Sequence, residues 1–194
     1  MRYYDALGFP PTLTLDADEL KRRFYERSRE WHPDRFSRRG AEEQKKALEM
    51  TAVLNDAFRV LRDPVSRAEY FLEQRQMPPT KNPPPELLEE VFELNMTLEE
   101  LRGGEESARG QLTEARERFL KMRQQIDEGM AALFTRFDKA NGEETARETL
   151  GEIRAALDRR RYISNLLRDV NKELDRGEEL DQQPDREPNV HLSN

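Results

Sequence analysis

The apolar residues in the first third of the chain recur three and four positions apart, a spacing typical of amphipathic helices. Asp16 followed by Glu19 is a capping-box pattern, which predicts where the first of these helices begins. Its apolar face consists of Leu20, Phe24 and Trp31. A second helix is predicted from about residue 41 to 61, with an apolar stripe of Ala47, Met50, Leu54, Ala57, Phe58 and Leu61. We expect the two long helices to pack as an antiparallel pair.

The segment between these two helices contains the tripeptide His32-Pro33-Asp34. Pro33 disfavours the α conformation for His32, so the first helix should end there and the tripeptide should lie in a loop. Taken alone, such a tripeptide indicates only a helix stop. After the second helix, Asp63 and Pro64 predict the N-cap and the first turn of a short third helix.

The helix before the tripeptide is strongly basic. It carries Lys21, Arg22, Arg23, Arg27 and Arg29, and three further arginines follow the tripeptide at positions 35, 38 and 39. Arg27 falls on the apolar face, so we expect its aliphatic stem to lie on the core while its charge reaches water. The basic run is either a docking surface for an acidic partner or a solvated helix face.

The middle of the chain is marked by proline. Residues 76–85 contain five prolines in ten positions, so they predict a stiff, extended spacer. Beyond the spacer, apolar periodicity predicts a three-helix bundle over residues 86–176, with helices at about 86–101, 105–139 and 143–176. Short glycine-containing turns make the helices antiparallel neighbours. Residues 177–194 are acidic and nearly free of apolar side chains, which predicts a disordered tail.

The first helix of the predicted bundle has two apolar faces. One is a regular core stripe formed by Leu87, Val91, Leu94, Leu98 and Leu101. Leu88, Phe92 and Met96 lie about 140° away around the helix, which carries six glutamates and no basic residue. An apolar strip bordered by carboxylates is a candidate binding patch. The alternative is that a bundle helix touches two neighbours and buries one wide stripe.

Composition excludes several kinds of chemistry. Of the 194 residues 38% are charged and 35% hydrophobic, which favours one or two small helical domains with modest cores. The sequence has no cysteine and two histidines, so it excludes disulfides, thiolate metal sites and a cysteine nucleophile. It also lacks a glycine-rich phosphate loop. We therefore expect neither an enzyme nor a cofactor.

Charge and hydropathy suggest the kind of partner and the compartment. Residues 1–75 carry 15 Lys/Arg against 14 Asp/Glu, whereas residues 76–194 carry 18 against 26. This asymmetry favours two different partners, and the acidic part would repel nucleic acid. No apolar run reaches membrane-spanning length, and the early start of the first pattern leaves no room for a signal or transit peptide. We therefore expect a cytoplasmic protein without a membrane partner.

The first 75 residues resemble a J-domain. The residues that carry the resemblance are Tyr3-Tyr4-Asp5-Ala6-Leu7-Gly8, His32-Pro33-Asp34-Arg35-Phe36, Asn55-Asp56-Ala57-Phe58 and Arg67-Ala68-Glu69-Tyr70. The resemblance implies a module that stimulates ATP hydrolysis by chaperones of the DnaK type. It further implies that His32, Pro33 and Asp34 act as the trigger on the ATPase. Positive charges at Lys21, Arg22 and Arg35 would steer the module onto an acidic surface.

The whole of residues 1–176 is similar to the HscB family of J-type co-chaperones of iron–sulfur cluster assembly, strongly over the first 75 residues and more loosely after them. The resemblance implies that the bundle holds the cluster scaffold protein and delivers it to a DnaK/HscA-type ATPase. The implied scaffold contacts are Leu88, Phe92, Glu93, Glu100 and Tyr162. At two of the implied contact positions the chain departs from the family, because Glu89 replaces an apolar contact and Met96 an acidic one.

These features together predict an all-α adaptor with two domains, a J-domain and an elongated three-helix bundle. One alternative is a general folding co-chaperone whose bundle binds unfolded clients or dimerises. Such co-chaperones usually add a glycine/phenylalanine-rich region or cysteine zinc modules, and the sequence has neither. A purely structural helical protein would require the tripeptide to be a coincidence. Without cysteine the chain should not bind an iron–sulfur cluster through thiolates, but should bind the scaffold that does.

Overall fold

The computed structural model describes residues 2–105 and 107–181. All regular secondary structure in these residues is helical, which confirms the all-α prediction. The α-helices are α1 (Arg2–Leu7), α2 (Ala17–Glu30), α3 (Ala41–Arg62), α4 (Pro64–Glu73), α5 (Leu88–Arg102), α6 (Ser107–Asp138) and α7 (Glu143–Asp181). Short 3₁₀-helices span Pro33–Phe36 and Pro85–Leu87. None of the described helices is long and apolar enough to cross a lipid bilayer.

Helix α2 begins and ends where the sequence predicted. The Asp16 carboxylate accepts a hydrogen bond from the backbone N–H of Glu19 at 2.7 Å, so Asp16 is the N-cap. The Glu19 carboxylate instead binds Arg22 and Arg23, so it does not return to the cap as a full capping box would. At the other end His32 leaves the helical conformation, with φ −61° and ψ 129°.

Helix α1 was not predicted, because six residues are too few for an apolar period to be recognised. It buries Tyr4 and Leu7 and packs chiefly against α3. The Tyr4 hydroxyl donates a hydrogen bond to the Thr12 carbonyl at 2.7 Å, and burial raises its pKa well above the usual range. Gly8 ends the helix with φ +70°, a conformation in which glycine avoids the steric cost of a side chain.

The predicted apolar stripes of α2 and α3 form the core of the N-terminal helices. Leu20 of α2 is buried together with four members of the α3 stripe, Ala47, Leu54, Ala57 and Leu61. Phe24 stacks on Phe58, with ring centroids 4.3 Å apart. Arg27 reaches solvent as expected and forms an ion pair with Glu30 at 3.1 Å.

Contacts between Cα atoms divide the chain into two compact units. Unit 1 comprises Met1–Lys81 and Asp127–Asp158, and unit 2 comprises the described residues of Asn82–Ile126 and Arg159–Asn194. The units differ from the division that the sequence predicted, a J-domain over 1–75 and a bundle over 86–176. The reason is that residues 127–158 of α6 and α7 pack with the N-terminal helices. A pattern along the chain cannot reveal such a contact between distant segments.

Unit 1 is held together by polar contacts across long sequence distances. Asp138 accepts hydrogen bonds from the backbone N–H groups of Leu13 and Thr14 at 3.0 and 2.6 Å. Nearby, the ring of Phe137 meets that of Phe71 edge-on, with centroids 5.2 Å apart. These contacts join the end of α6 to α4 and to the segment before α2.

A second group of polar contacts in unit 1 surrounds Arg154. Its guanidinium donates two hydrogen bonds to the Glu69 carboxylate, at 2.6 and 2.8 Å, and lies 3.0 Å from Asp158. Asp158 also accepts a hydrogen bond from the Thr80 hydroxyl at 2.9 Å. The side chains of Arg154 and Asp158 are only 8% and 5% exposed. These buried charges compensate one another, which is the condition for tolerating them in a core.

Arg67 is a buried cation that binds backbone carbonyls. Its Nε donates to the Leu13 carbonyl at 2.9 Å and its Nη1 to the Leu61 carbonyl at 2.7 Å. Burial lowers the pKa of the guanidinium, while the surrounding Tyr4, Asp63 and Asp138 act in the opposite direction. Arg67 thereby fixes the start of α4 against the end of α3 and the segment before α2.

Unit 2 has its own apolar core between α5, α6 and α7. The buried members are Leu87, Leu94, Leu98, Leu112, Ala115, Phe119, Ile163, Leu166, Leu167 and Val170. Val91 and Leu101 pack against them partly buried, so the predicted core stripe of α5 is confirmed. Two of the three bundle helices end within a residue of the predicted limit.

Helix α7 runs further than the sequence predicted. The sequence assigned residues 177–194 to a disordered tail, but α7 continues to Asp181, so this assignment was wrong for 177–181. Gly177 is a possible helix stop, but the glutamates and leucine after it favour a helix and the first proline of the segment is Pro184, so the helix continues through the glycine. The remaining residues of the predicted tail, 182–194, lie outside the described part of the chain.

Replacing Arg154 with alanine tests the buried ion pairs. The change removes the guanidinium that pairs with the carboxylates of Asp158 and Glu69, so we expect the free energy of unfolding to fall by about 3–5 kcal/mol. Urea denaturation followed by circular dichroism measures this loss. The matched control is Arg147→Ala, which removes an ion pair with Glu143 whose side chains are 80% and 92% exposed and should cost less than about 1 kcal/mol. Equal losses in the two variants would contradict this assignment.

Candidate partner-binding sites

The His32-Pro33-Asp34 tripeptide forms an ordered, exposed turn. His32 is the N-cap of the 3₁₀-helix Pro33–Phe36, and its Nδ1 accepts a hydrogen bond from the backbone N–H of Asp34 at 3.3 Å. The same Nδ1 lies 3.5 Å from the Asp34 carboxylate. The side chains of His32 and Asp34 are 58% and 91% exposed. The turn therefore presents an imidazole and a carboxylate to solvent from an ordered backbone.

The turn is held in place by residues on both sides of it and by one residue of α3. Trp31 and Phe36 flank the tripeptide and stack with ring planes 6° apart and centroids at 5.8 Å. The Thr51 hydroxyl on α3 contacts the Trp31 carbonyl at 3.1 Å. Arg35 donates to the Arg29 carbonyl at 3.3 Å, back across the turn. Only Thr51 gave no signal in the sequence, since its contact with Trp31 spans 20 positions.

The predicted steering charges differ in how far they are neutralised. Arg22 lies 2.7 Å from Glu19 and 2.6 Å from Glu26. Hydrogen bonds from Arg22 and Arg23 lower the pKa of Glu19 to about 2, and the carboxylates of Glu19 and Glu26 raise the pKa of Arg22. In the described part of the chain, by contrast, neither Lys21 nor Arg35 forms an ion pair, and both are exposed. Lys21 and Arg35 therefore offer more uncompensated charge to a partner than Arg22 does.

Arg23, from the same basic run, has a structural role. It donates a hydrogen bond to the Gly8 carbonyl and lies over the ring of Phe9, 4.1 Å from the centroid. Its Nε also contacts Glu19 at 2.6 Å. These contacts join α2 to the turn after α1. The basic run is therefore neither wholly a docking surface nor wholly a solvated face.

Helix α5 exposes the apolar strip that the sequence placed off the core. Leu88, Phe92 and Met96 are 52%, 66% and 47% exposed, one helical turn apart. On the core side of the same helix Leu87, Leu94 and Leu98 are buried. The alternative of one wide buried stripe is therefore wrong for this helix. We call Leu88, Phe92 and Met96 the α5 strip.

The α5 strip adjoins a polar groove between α5 and α6. Met96, Glu93 and Glu100 line the groove from α5, and Gln111, Glu114 and Arg118 line it from α6. Its volume is about 360 Å³. Glu93 forms an ion pair with Arg118 at 3.2 Å, whereas Glu100 is half-buried and forms no ion pair within the described residues. Arg118 was missed by the sequence reading because it comes from a different helix.

Tyr162 lies in a different environment from the α5 strip. It is half-buried on α7 and packs against the apolar core of unit 2, beside which Val91 and Leu101 also pack. Part of its ring is therefore already used in packing. Of the predicted scaffold contacts, Leu88, Phe92, Glu93 and Met96 are the exposed ones, and Glu100 and Tyr162 are half-buried.

Two family models match the chain. The model of the DnaJ domain matches residues 2–70, and that of the HSCB C-terminal oligomerisation domain matches residues 83–171.

The described part of the chain contains no group of His, Cys, Asp or Glu side chains suited to hold a metal ion.

Three curated relatives that match the chain are named as the co-chaperone HscB or a homolog of it. A co-chaperone protein HscB homolog from Azoarcus sp. is 30% identical over 155 residues, which are 78% of this chain and 85% of that protein. A homolog from Vibrio vulnificus is 35% identical over 112 residues, covering 55% of this chain and 65% of the relative. The HscB of Proteus mirabilis is 39% identical over 72 residues, which cover 37% of this chain and 42% of that protein. The matches to Vibrio and Proteus thus span less than two thirds of those proteins.

Solved structures support the fold. Chaperone HscB from Vibrio cholerae superposes with a TM-score of 0.59 at 24% identity, and the superposition covers 91% of this chain and 99% of that one. The human co-chaperone HscB superposes with a TM-score of 0.60 at 21% identity, and the superposition covers 89% of this chain and 82% of that one. At these identities the likeness concerns the fold alone. The family models and the Azoarcus relative go further, and by them the chain belongs to the HscB family of J-domain co-chaperones.

Proposed function

We propose that this protein is a J-type co-chaperone that stimulates the ATPase of a DnaK/HscA-type chaperone and delivers the iron–sulfur cluster scaffold protein to it. The observation that carries the proposal is the pair of exposed surfaces with different chemistry. One is the charged His-Pro-Asp turn in unit 1, and the other is the α5 strip in unit 2. Two such surfaces suit an adaptor that binds two partners.

The turn acts by docking, while the chemistry belongs to the partner. The backbone of His32 and Asp34 is ordered by the 3₁₀-helix before any partner arrives, so little backbone entropy is lost when the turn is buried in an interface. The imidazole and the Asp34 carboxylate supply hydrogen-bonding groups to the partner. Binding them shifts the partner towards its hydrolysing state if that state offers the complementary groups.

The basic face speeds the encounter with the ATPase. Exposed cations raise the association rate with an acidic surface through long-range attraction. Lys21 and Arg35 contribute most to this field because no neighbouring carboxylate of the described chain is paired with them. Arg22 contributes less, since Glu19 and Glu26 already bind it.

The α5 strip binds the scaffold protein through apolar contact. Burying a large apolar side chain contributes roughly 1.5–3 kcal/mol, and aromatic anchors such as Phe92 are frequent hot spots of interfaces. Glu93 and Glu100 border the strip, so the best partner surface is apolar with basic residues at its margin. Because the chain has no cysteine, the cluster is cargo whose thiolate ligands come from the scaffold.

The cytoplasmic location expected from the sequence remains part of this proposal. The absence of nucleic acid and membrane partners is a further part of it. Subcellular fractionation of the native organism is the direct measurement, and recovery in a membrane pellet after a salt wash would contradict the assignment.

Replacing His32 with glutamine should abolish stimulation of the partner ATPase. Glutamine has similar size but does not reproduce the geometry of the imidazole, and the exposed side chain contributes little to the core. Helix content should therefore stay unchanged by circular dichroism. Glu73→Gln, an exposed change at the end of α4, is the control and should leave stimulation intact. Full stimulation by a folded His32→Gln protein would contradict the mechanism.

Charge reversal at Lys21 or Arg35 should slow association with the ATPase by several-fold at low salt. Arg22→Glu should slow it less, because two carboxylates already offset that charge. The differences should shrink as salt rises and the Debye length falls below about 10 Å. Surface plasmon resonance at several salt concentrations measures these rates. Association rates independent of salt would mean that these residues form only a solvated face.

Truncating the α5 strip should remove scaffold binding while preserving the fold. In the Leu88→Ala/Phe92→Ala variant both side chains are already largely exposed, so the melting temperature should change little. The matched variant Leu94→Ala/Leu98→Ala removes buried leucines from the same helix and should cost about 2–5 kcal/mol per residue. Isothermal titration with the scaffold and thermal melting together separate the two roles.

The outcome also discriminates between the candidate functions. Normal scaffold binding by the folded strip variant would place the site elsewhere, with Tyr162 as the next residue to change. Binding of many unrelated unfolded polypeptides through the same strip would favour a general folding co-chaperone.

A further inference from the structure

A second groove in unit 2 runs between α6 and α7. Its volume is about 760 Å³, and the α5 strip contributes nothing to its walls. Four cations line it, Arg123 from α6 and Arg168, Lys172 and Arg176 from α7, against the single carboxylate of Asp175. This positive surface lies in a chain whose net charge is −7, and whose residues 76–194 are more acidic than the whole.

The described residues compensate the cations of this groove only weakly. In the described part of the chain Arg123 and Lys172 form no ion pair. Arg176 is 3.8 Å from Glu173 and Arg168 is 4.0 Å from Asp169, distances at the outer limit for an ion pair. Arg168, Lys172 and Arg176 recur every four residues, and such a ladder of like charges does not stabilise its own helix. Stability of α7 therefore does not account for the spacing.

The floor of the groove offers hydrogen-bond donors. Ser164 and Asn171 line it between the cations. The Oδ1 of Asn171 accepts a hydrogen bond from Arg116 at 2.8 Å, which leaves its amide nitrogen as the group for a ligand. Buried Leu167 supplies an apolar base. Among the described residues Asp175 is the one carboxylate that lines the groove, and cations with hydrogen-bond donors favour an anion.

The length of the groove identifies the kind of anion. Residues 164 to 176 extend over about 18 Å of helix at 1.5 Å per residue, too long for one phosphate. No aromatic side chain lines the groove to stack the bases of a nucleic acid. None of the large exposed apolar residues of the described chain lines it, so it lacks the contacts that a lipid surface requires. A linear segment of polypeptide with several carboxylates satisfies all these conditions.

We propose that the α6–α7 groove binds an acidic peptide segment of a partner protein. The carboxylates of the segment pair with the cationic ladder of α7 and with Arg123, and Ser164 and Asn171 bind its backbone or side-chain oxygens. An extended segment of about six residues covers the groove at about 3.3 Å per residue. This surface is separate from the His-Pro-Asp turn and from the α5 strip, so the inference does not depend on the proposed co-chaperone function.

The test measures binding of a fluorescein-labelled peptide of alternating glutamate and serine to the full chain by fluorescence anisotropy. Lys172→Glu should weaken binding roughly tenfold, because it removes one attraction and adds one repulsion at the centre of the ladder. Lys121→Glu is the matched control: it changes the net charge equally at an exposed position of α6 outside the groove and should alter the affinity less than about twofold. Circular dichroism should report folded protein in both variants.

Further arms distinguish the other occupants. A glutamine–serine peptide of the same length should fail to bind, whereas equal binding would show that carboxylates are not recognised. Tighter Lys172-dependent binding of single-stranded oligonucleotide, or of vesicles containing phosphatidylserine, would overturn the assignment to a peptide. Equal losses of affinity in Lys172→Glu and Lys121→Glu would also overturn it, because the peptide would then sense only net charge.

Discussion

Arg154 and its two carboxylates are the contact on which the arrangement of unit 1 depends. A guanidinium removed from water costs several kcal/mol, and here that cost is offset by the two hydrogen bonds to Glu69 and the proximity of Asp158. Glu69 belongs to α4, so the pairing fixes α4 against α7. Because hydrogen bonds to charged groups are directional, the contact also sets the orientation of α4.

A series of contacts between packed helices links α4 to the His-Pro-Asp turn and sets the position of the turn. Arg67 on α4 binds the carbonyls of Leu13 and Leu61, which fixes the end of α3. Further along α3, Thr51 contacts the carbonyl of Trp31 at the end of α2. The turn begins at the next residue. An exposed tripeptide with few contacts of its own is thus positioned by the packed helices behind it.

In unit 2 one helix presents a buried apolar face and an exposed one. The spacing of α5 places Leu87, Leu94 and Leu98 in the core, and Leu88, Phe92 and Met96 in solvent. Leaving three large apolar side chains exposed on one helix forgoes the stabilisation that burying them would give, which accords with a surface kept for a partner. Glutamates beside the strip place negative charge at its margin, which would complement basic residues on a partner. The cationic groove between α6 and α7 gives the same unit a second surface of opposite charge.

The sequence alone determined the elements that rest on local physics. Periodicity predicted α2, α3 and α5 to α7, Asp16 and Asp63 predicted helix starts, and Pro33 predicted the break that forms the turn. The two faces of α5 were also readable, because a helix converts spacing into direction. What the sequence could not decide depends on contacts between distant residues. The arginines illustrate this limit. Arg67 and Arg154 are buried and Arg23 anchors α2, whereas Arg35 is exposed. The sequence around an arginine does not distinguish these roles, so only the fold separates them. Only the fold could assign residues 127–158 to unit 1 and bring four cations together in one groove, because tertiary packing selects partners that no local pattern encodes.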